Sequence, residues 1–421
     1  MNHDILKTVI ADQWKCIQHT EIVPREYAFE PNANYVLTGL RRAGKSTLLY
    51  AVCQDLIRAG VSMEQIIFVN FEDERLAEFR ASDFSDLLEL HHSWTDKPGF
   101  YFLDEIQNIG GWEKFARRMA DMKERIYISG SNATMLSHEI ESTLGGRYLS
   151  KYIMPYNFRE YLAASGAAWH KSVALSTMDR GRILGHFESF FTFGGFPESL
   201  LFHSRREYVS SVCQKVILGD MAARNAVRND HVLTLLIKKI AEAVCSDISF
   251  TKIHRALSGI GMGISKDSVI AYMHYASQAY LIFPVQNYFS RFTEREGLQK
   301  YYFSDNGLLN LFLHDKAAAL LENAVAVGLR RRYSEIYYLK SNKTGIDVDF
   351  FVPEKELAIQ VAYSIDGEAR KREVDNLVQL SQKFTEASRY LILTRNGEEM
   401  ISEKGVRICV MPVWRFLLEE C

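Results

Sequence analysis

The sequence lacks an excess of charge of either sign. Its 421 residues include 50 Lys and Arg against 52 Asp and Glu, which gives a formal net charge of −2. Proteins that bind nucleic acids or acidic membrane surfaces through their overall field usually carry a clear positive excess. Overall charge therefore gives no reason to expect such a partner, and only a local basic patch remains compatible with one.

Long apolar runs and paired cysteines are also absent. No eighteen successive residues are apolar, so we expect no membrane span. Asp4, Lys7 and Asp12 interrupt the stretch in which a secretion signal would need its apolar segment. The six cysteines form no CxxC pair, which argues against a zinc ribbon or a disulfide framework and is typical of a reducing compartment. We therefore expect a cytoplasmic protein.

The composition is that of an ordinary globular protein. Hydrophobic residues make up 47% of the chain and charged residues 24%, which excludes wholesale disorder, a collagen-like repeat and a coiled-coil rod. At roughly 150 residues per domain, the length predicts about three domains.

The first part of the chain alternates short apolar segments with helical ones. Strands are predicted for four apolar runs, at residues 35–38, 66–71, 99–103 and 126–129. Helices are predicted between them, as at residues 84–91 and 112–123. This alternation indicates a parallel α/β sheet covered on both faces, with its ligand site at the carboxyl ends of the strands.

A glycine-rich pattern follows the first of these strands. Residues 39–47 read G-x-x-x-x-G-K-S-T between a predicted strand and a predicted helix. Gly39 and Gly44 let the backbone curl, so that successive N–H groups, those of Arg42 and Ala43 among them, point at a phosphate. A chance match in a glycine-containing loop is the alternative, and the flanking strand and helix make it the weaker one.

The last residues of this loop carry the polar side chains that a nucleotide requires. Lys45 is expected to contact the β- and γ-phosphate oxygens, and the hydroxyl of Ser46 is expected to hold Mg²⁺. Thr47 completes the motif. The pattern predicts a binding site for ATP or ADP together with Mg²⁺.

Two acids end the apolar run at residues 100–103. Asp104 is expected to coordinate Mg²⁺ through water, and Glu105 to polarise the attacking water. An apolar run that ends in two acids is by itself more often an ordinary strand end entering a polar loop. Its position downstream of a phosphate loop makes the combination a strong prediction.

Three further polar residues are candidates for sensing or stabilising the transferred phosphate. Ser131 and Asn132 follow the strand at residues 126–129, where a γ-phosphate or a catalytic water could be sensed, although both residue types are also common helix caps. Arg147 follows a predicted helix, and a guanidinium there could stabilise developing charge. Favourable interaction with a helix dipole is the simpler explanation of its position.

Beyond residue 156 the pattern changes. Residues 157–226 are predicted to be mainly helical. Three predicted helices follow, two of them capped by Ser249 and Ser265, and then strands at 281–288 and 298–303. This order of elements is similar to a winged helix-turn-helix. Its charges are mixed, which favours structural or regulatory use over DNA binding. The remainder opens with helices and then shows strands at 346–352 and 357–363, which indicates a second α/β unit.

Several runs together resemble a known family. The segments YVLTGLRRAGKSTLL, IIFVNFED, FYFLDEIQNIGGWEKF, ISGSNATML, LGGRYLSKYIMPYNFREYL and FGGFPES are similar in order and spacing to a prokaryotic branch of the AAA+ ATPases, whose C-terminal domain of unknown function is related to restriction endonucleases. The resemblance covers essentially the whole chain. It implies that Asn132 or Ser131 is the first sensor, that Arg147 acts across a subunit interface, and that the chain forms a homo-oligomer.

The resemblance also predicts the domain organisation. It implies an AAA+ P-loop ATPase domain of parallel-sheet α/β fold at residues 1–156, a helical lid at 157–229, a winged helix-turn-helix at 230–303 and a restriction-endonuclease-like α/β domain at 304–421. Glu322 resembles the upstream acid of that last domain, and Asp347 and Asp349 share a strand face.

The expected metal site of the last domain is incomplete. Gln360 stands where an acid is expected, and Ala362 stands where the resemblance implies a lysine. Lys340 or Lys371 could in principle substitute. We therefore expect no nuclease activity, and a solvated strand face is the more ordinary explanation of the two aspartates.

These observations predict an AAA+ ATPase that hydrolyses ATP with Mg²⁺ to change conformation in an oligomer acting on an unknown protein client. The alternative is an ATP-gated nuclease or nucleic-acid-binding regulator with DNA as its partner. Near-neutral charge and the alanine at position 362 count against this alternative.

Overall fold

A computed structural model describes residues 1–131, 144–167, 169, 176–291, 295, 297–314 and 317–419. The chain divides into two compact units, residues 1–154 and residues 155–421, and each unit is described by itself. No helix in these described ranges combines the length and the apolar content needed to cross a membrane.

The first unit is built on a sheet of five parallel strands. In spatial order these are β2, β3, β4, β1 and β5. Their bounds are β1 Asn34–Thr38, β2 Ile66–Asn70, β3 Phe100–Asp104, β4 Arg125–Gly130 and β5 Tyr148–Tyr152. The predicted parallel α/β sheet is therefore confirmed. Its strands are continuous apolar runs because a parallel sheet is buried on both faces.

Helices cover this sheet. Their bounds are α1 His3–His19, α2 Lys45–Arg58, α3 Phe84–Trp94 and α4 Trp112–Asp121. Leu6, Val9 and Ile10 are spaced to share one face of α1, and they pack in the same apolar core as residues of β1 to β4 and of α3 and α4. This burial fixes the carboxyl ends of β1, β3 and β4 at one edge of the sheet.

The second unit contains most of the remaining helices. Their bounds are α5 Phe158–Ala164, α6 Thr177–Phe193, α7 Arg205–Lys215, α8 Asp230–Glu242, α9 Phe250–Gly259, α10 Lys266–Gln278, α11 Asn306–Asn310, α12 Ala317–Arg332, α13 Gly367–Lys383 and α14 Val413–Leu418. The predicted caps Ser249 and Ser265 are confirmed, since each side chain accepts a hydrogen bond from an N–H in the first turn of α9 or α10. A π-helix, Val216–Ala223, follows α7.

A mixed sheet of nine strands completes the second unit. The spatial order is β13, β14, β12, β11, β10, β9, β7, β8 and β6. The bounds are β6 Ile248–Ser249, β7 Ile282–Asn287, β8 Leu298–Phe303, β9 Tyr337–Ser341, β10 Ile346–Val352, β11 Leu357–Val361, β12 Arg389–Thr394, β13 Glu399–Glu403 and β14 Val406–Pro412.

This sheet continues across the boundary predicted at residue 303. Gln286 of β7 pairs in parallel with Tyr337 of β9, so the hairpin β7–β8 shares one sheet with the strands that follow residue 304. The predicted boundaries, the winged helix-turn-helix and the restriction-endonuclease-like assignment stay predictions.

Asp305 lies at the centre of a buried hydrogen-bond network in the second unit. Its two carboxylate oxygens accept hydrogen bonds from the N–H of Gly195 at 2.7 Å and of Gly307 at 2.8 Å. A Cβ on Gly194 would lie 1.8 Å from the Asp305 Oδ1 atom, so only glycine permits this approach. Burial raises the pKa of Asp305 to about 6, although these N–H donors act in the opposite direction.

We expect the stability of the second unit to fall as pH rises from about 4 to about 6. The folded carboxyl keeps its proton up to a pKa of about 6, whereas the reference value is 3.8, so the folded state binds the extra proton in this range. At about 1.4 kcal/mol per pH unit, the loss amounts to about 3 kcal/mol. Urea unfolding of the wild type and of Asp305→Asn between pH 4 and pH 7 measures it.

The stability advantage of the wild type over Asp305→Asn should shrink across this range and stay constant above it. Asp267→Asn, which changes an exposed aspartate of α10, should show no comparable trend. A stability difference between wild type and Asp305→Asn that does not change with pH would contradict the expectation.

Candidate functional site

The glycine-rich loop connects β1 to α2, as the sequence predicts. Gly39 has φ +150°, and a Cβ at this position would lie 2.0 Å from the carbonyl oxygen of Ile153, so the close approach excludes a side chain. Gly44 has φ +92° and directly precedes α2. Because Gly44 has no side chain to cap the helix, it leaves the first-turn N–H groups to a ligand.

The side chain of Arg25, which lies outside the loop, holds the rest of it in place. Arg25 donates from Nη1 to the carbonyl oxygen of Ala43 at 3.1 Å and from Nη2 to that of Met154 at 2.6 Å, so it ties the loop to the segment after β5. Arg42 is exposed and has φ +64°, a left-handed conformation that turns the backbone at this point. The side chain of Ala43 is buried.

Lys45 is buried inside the loop. Its Nζ donates to the carbonyl oxygens of Gly39 at 3.2 Å and Leu40 at 3.3 Å, and it lies 3.8 Å from Oε1 of Glu105. Only 4% of Lys45 is exposed. The loop thus holds an ammonium group beside a carboxylate, at the point where the motif predicts phosphate contacts.

Asp104 is fully buried at the end of β3. One of its carboxylate oxygens accepts a hydrogen bond from the hydroxyl of Ser129 on the neighbouring strand. Burial, followed by the charge of Glu105, raises the pKa of Asp104 to about 6, while Ser129, Ser46 and Lys45 act in the opposite direction. A bound cation would remove this penalty, because it stabilises the charged form of the carboxyl.

Three buried oxygen atoms lie at the carboxyl ends of adjacent strands. They belong to Asp104 (Oδ2), Thr38 (Oγ1) and Ser131 (Oγ), and none has a hydrogen-bond partner among the described residues. The strands β3, β4 and β1 are neighbours in the sheet, so these ends share one edge. Buried polar atoms without partners are rare in folded proteins, and their grouping indicates a place for a polar ligand.

Glu105 has an unusual backbone conformation for its residue type. Its φ of +51° lies in the left-handed region, which is uncommon for a residue other than glycine and is frequent at functional sites. The N–H of Glu105 donates to Oγ of Ser129 at 3.3 Å, and the side-chain amide of Gln107 donates to its Oε2. Ser129 therefore holds the backbone of Glu105, and Gln107 holds its carboxylate.

The structure brings together most of the predicted site residues. Lys45 and Glu105 are in contact, and both Ser46 and Lys45 lower the pKa of Asp104 against the effect of burial. Thr47 follows in the first turn of α2. Asn132 lies outside the described residues.

Arg147 lies at the opposite end of the sheet from the loop. It precedes β5, which runs parallel to β1, whereas the loop follows the carboxyl end of β1. Its Nε donates to Asp121 at 2.7 Å. Within one chain, Arg147 is therefore not part of the cluster around Lys45, and its proposed action on a neighbouring subunit stays a prediction.

Sequence reasoning missed four residues that shape the site: Arg25, Thr38, Gln107 and Ser129. Ser129 is the most informative, because its hydroxyl links the carboxylate of Asp104 to the N–H of Glu105. A small polar residue inside an otherwise apolar strand was the available signal. The partners of that hydroxyl depend on strand order, which the sequence pattern does not state.

We expect Ser129→Ala to lower the turnover of ATP by about tenfold, because hydrogen bonds to charged groups contribute about 1.5–3 kcal/mol and both acids lose their common partner. Nucleotide affinity should change little, since the loop is untouched. Phosphate release and equilibrium nucleotide binding measure the two effects. Ser150→Ala, on an exposed position of β5, is the matched control. Unchanged turnover in Ser129→Ala would contradict this role.

The acids considered for a second metal site lie in the second unit. Glu322 and Asp349 are both in contact with Lys300, which the sequence analysis did not single out. Lys340, one of the two lysines that it did name, instead donates to Asp247 at 2.5 Å. Lys371, the other, is exposed, as is Asp347.

Comparison with known families bears directly on the first unit. Residues 31–162 match the family model of the AAA domain. That match spans the loop, both acids and the end of β4. Residues 184–319 match a second family model, which is described only as a domain of unknown function.

Two relatives match nearly the whole chain. An uncharacterized protein of Methanocaldococcus jannaschii is 29% identical and covers 98% of this chain and 95% of the relative. An uncharacterized protein of Haemophilus influenzae is 27% identical and covers 90% of this chain and 93% of the relative. Both alignments therefore extend beyond the residues matched to the AAA domain and into the second unit.

Solved structures also match this chain, two of which follow. The crystal structure of Cdc6p from Pyrobaculum aerophilum covers 77% of this chain and 98% of its own, with 13% identity and a TM-score of 0.25. Drosophila ORC bound to AT-rich DNA and Cdc6 covers 73% of this chain and 92% of the matched chain, with 12% identity and a TM-score of 0.21.

Proposed function

We propose that this protein is an AAA+ ATPase that binds ATP with Mg²⁺ and hydrolyses it. The observation that carries the proposal is the grouping of Lys45, Glu105 and the unpartnered oxygen of Asp104 around the glycine-rich loop. The match of residues 31–162 to the AAA domain supports it independently.

The loop residues would bind the phosphates. Backbone N–H groups at the start of α2 would hold the β-phosphate, and Lys45 would move its donors from the carbonyl oxygens of Gly39 and Leu40 to the phosphate oxygens. Ser46 and Asp104 offer the hard oxygen ligands that Mg²⁺ prefers, and the unpartnered Oδ2 of Asp104 fits this use. When bound, Mg²⁺ would neutralise charge on the β- and γ-phosphate oxygens.

Glu105 would act as the general base. It would accept a proton from water as the water oxygen bonds to the γ-phosphorus, while the bond between that phosphorus and the β–γ bridging oxygen breaks and ADP leaves. Ser129 would hold the backbone of Glu105, and Gln107 would keep its carboxylate aligned. Ser131, buried at the end of β4, has an Oγ with no partner in the described parts of the chain, and it or Asn132 would sense the γ-phosphate.

Phosphate release from ATP by the purified chain tests this proposal. We expect steady turnover with Mg²⁺ that stops when EDTA removes the metal. Binding of a fluorescent ATP analogue, measured in parallel, distinguishes a binder from a hydrolase. Tight binding with turnover equal to buffer would replace the proposal with a nucleotide-dependent scaffold.

We further propose that the active form is a homo-oligomer in which Arg147 of one subunit completes the site of the next, so that hydrolysis acts on a protein client. The position of Arg147 at the far end of β5 from its own loop supports an action between subunits. Light scattering with and without a non-hydrolysable ATP analogue tests this assembly. A monomer under both conditions would contradict it.

A further inference from the structure

A second group of buried charges lies in the second unit, on residues that the proposed ATPase site does not use. Lys300 on β8 donates from Nζ to Oε1 of Glu322 on α12 and to Oδ1 of Asp349 on β10, each at 3.2 Å. Lys300 and Glu322 are 3% and 5% exposed, whereas Asp349 is partly buried, with 20% of its side chain exposed. Residues from three separate elements thus converge on one ammonium group, and we name them the Lys300 triad.

Each carboxylate of the Lys300 triad has a further donor. The hydroxyl of Tyr302 donates to Oε1 of Glu322 at 2.6 Å, and the N–H of Val361 donates to Oδ2 of Asp349 at 2.9 Å. The ring of Tyr338 lies 5.6 Å from Nζ of Lys300. The charged groups are therefore fixed on several sides, as a buried ion cluster must be to offset its desolvation.

Without the lysine, this arrangement would suit a divalent cation. Two carboxylates on adjacent elements supply the hard oxygen atoms that bind Mg²⁺ or Mn²⁺, at about 2.1 Å for Mg²⁺. An ion coordinated by Oε1 of Glu322 and Oδ1 of Asp349 would lie within hydrogen-bonding range of Nζ, because the same two atoms bind Nζ. Two cations at such a distance repel strongly at a buried site.

The neighbouring strand reinforces this conclusion. Oε1 of Gln360 accepts from the N–H of Asp349 at 2.9 Å, and its Nε2 donates to the carbonyl oxygen of Asp347 and to Glu373. The amide oxygen that could have been a third metal ligand is thus occupied by the backbone. Burial alone would lower the pKa of Lys300, but Glu322 and Asp349 outweigh burial and raise it, which keeps the ammonium charged at neutral pH.

We propose that Lys300 is the resident cation of this site, and that its ammonium group occupies the place between Glu322 and Asp349 that a divalent metal ion would take. The triad then holds β8, α12 and β10 together without metal. Metal-dependent cleavage of a phosphodiester at these acids is excluded as long as Lys300 is present. The inference stands independently of the ATPase proposal, since it involves none of its residues.

Substituting Lys300→Met tests the proposal, because methionine has a similar length and no charge. The bound Mn²⁺ is counted in the nucleotide-free full chain from the loss of the electron paramagnetic resonance signal of free Mn²⁺. We expect Lys300→Met to bind about one Mn²⁺ more than the wild type. Adding Asp349→Asn to Lys300→Met should abolish that extra ion. Any Mn²⁺ bound near the glycine-rich loop adds the same number of ions to every variant, so it does not affect the difference between them.

Lys355→Met is the matched control, since Lys355 is an exposed lysine between β10 and β11. It should bind as much Mn²⁺ as the wild type. If Lys300→Met does not fold in EDTA, it is refolded with Mn²⁺. Recovery of the folded protein with Mn²⁺ supports the proposal, and failure to fold both with and without the metal overturns it. The proposal is also overturned if folded Lys300→Met gains no ion, or if the wild type binds an Mn²⁺ that Asp349→Asn alone removes.

Discussion

Lys45→Ala should lose ATP binding by about 100-fold or more. Removing one partner from a buried charged contact costs about 2–5 kcal/mol, and about 1.4 kcal/mol corresponds to a factor of ten in Kd. Lys45 is almost fully buried and points into the loop, where its Nζ is within 3.3 Å of two loop carbonyl oxygens. It is therefore already at the place where the phosphates would bind. Equilibrium titration with a fluorescent ATP analogue measures the loss.

Lys114→Ala provides the control for this experiment. Lys114 lies on α4 in the same unit and is exposed, so the substitution removes the same charge without touching the loop. Its affinity for ATP should equal that of the wild type. If Lys45→Ala binds ATP as tightly as Lys114→Ala does, the assignment of the phosphate site is wrong.

Glu105→Gln should bind ATP as the wild type does and hydrolyse it about 100- to 10,000-fold more slowly. General-base catalysis contributes a factor of this size, and glutamine keeps the size of the side chain but cannot take the proton. The contact of Gln107 with Oε2 shows that the side chain is oriented by a neighbour rather than free in solvent. Single-turnover phosphate release, compared with binding of the same nucleotide, separates the two effects.

Glu78→Gln, an exposed change in the segment between β2 and α3, is the control for Glu105→Gln. It should bind and hydrolyse ATP as the wild type does. Normal hydrolysis by Glu105→Gln would remove the general-base role while leaving the phosphate site in place. Because Lys45→Ala is expected to fail at binding and Glu105→Gln only at chemistry, the two variants together distinguish a failed site assignment from a failed mechanism.

The sequence predicted the fold of the first unit closely. Each of the four predicted strands appears within one residue of its predicted bounds, because strands buried on both faces must be apolar throughout and are therefore easy to recognise. The glycines of the loop are required by local backbone geometry, as the 2.0 Å distance from a Cβ on Gly39 to the oxygen of Ile153 shows. Local requirements of this kind leave a direct trace in the sequence.

Contacts between distant segments left no such trace. Lys300 contacts Glu322 and Asp349 although it lies 22 and 49 residues before them, whereas the sequence pattern offers Lys340 and Lys371 as the substitute lysines. The sheet that joins β7 to β9 likewise could not be derived, since the parallel pairing of Gln286 with Tyr337 depends on how the intervening helices pack.

The sequence by itself thus determined the phosphate loop, the two acids after β3 and the alternation that forms a parallel sheet, because each depends on backbone geometry or on periodic burial along a short segment. Only the tertiary structure decided which side chains meet. It placed Ser129 between Asp104 and Glu105, left the Oδ2 of Asp104 without a partner among the described residues, and set the buried ammonium of Lys300 between the carboxylates of Glu322 and Asp349. The physical reason is that burial and strand order, rather than sequence distance, determine which charges must neutralise one another.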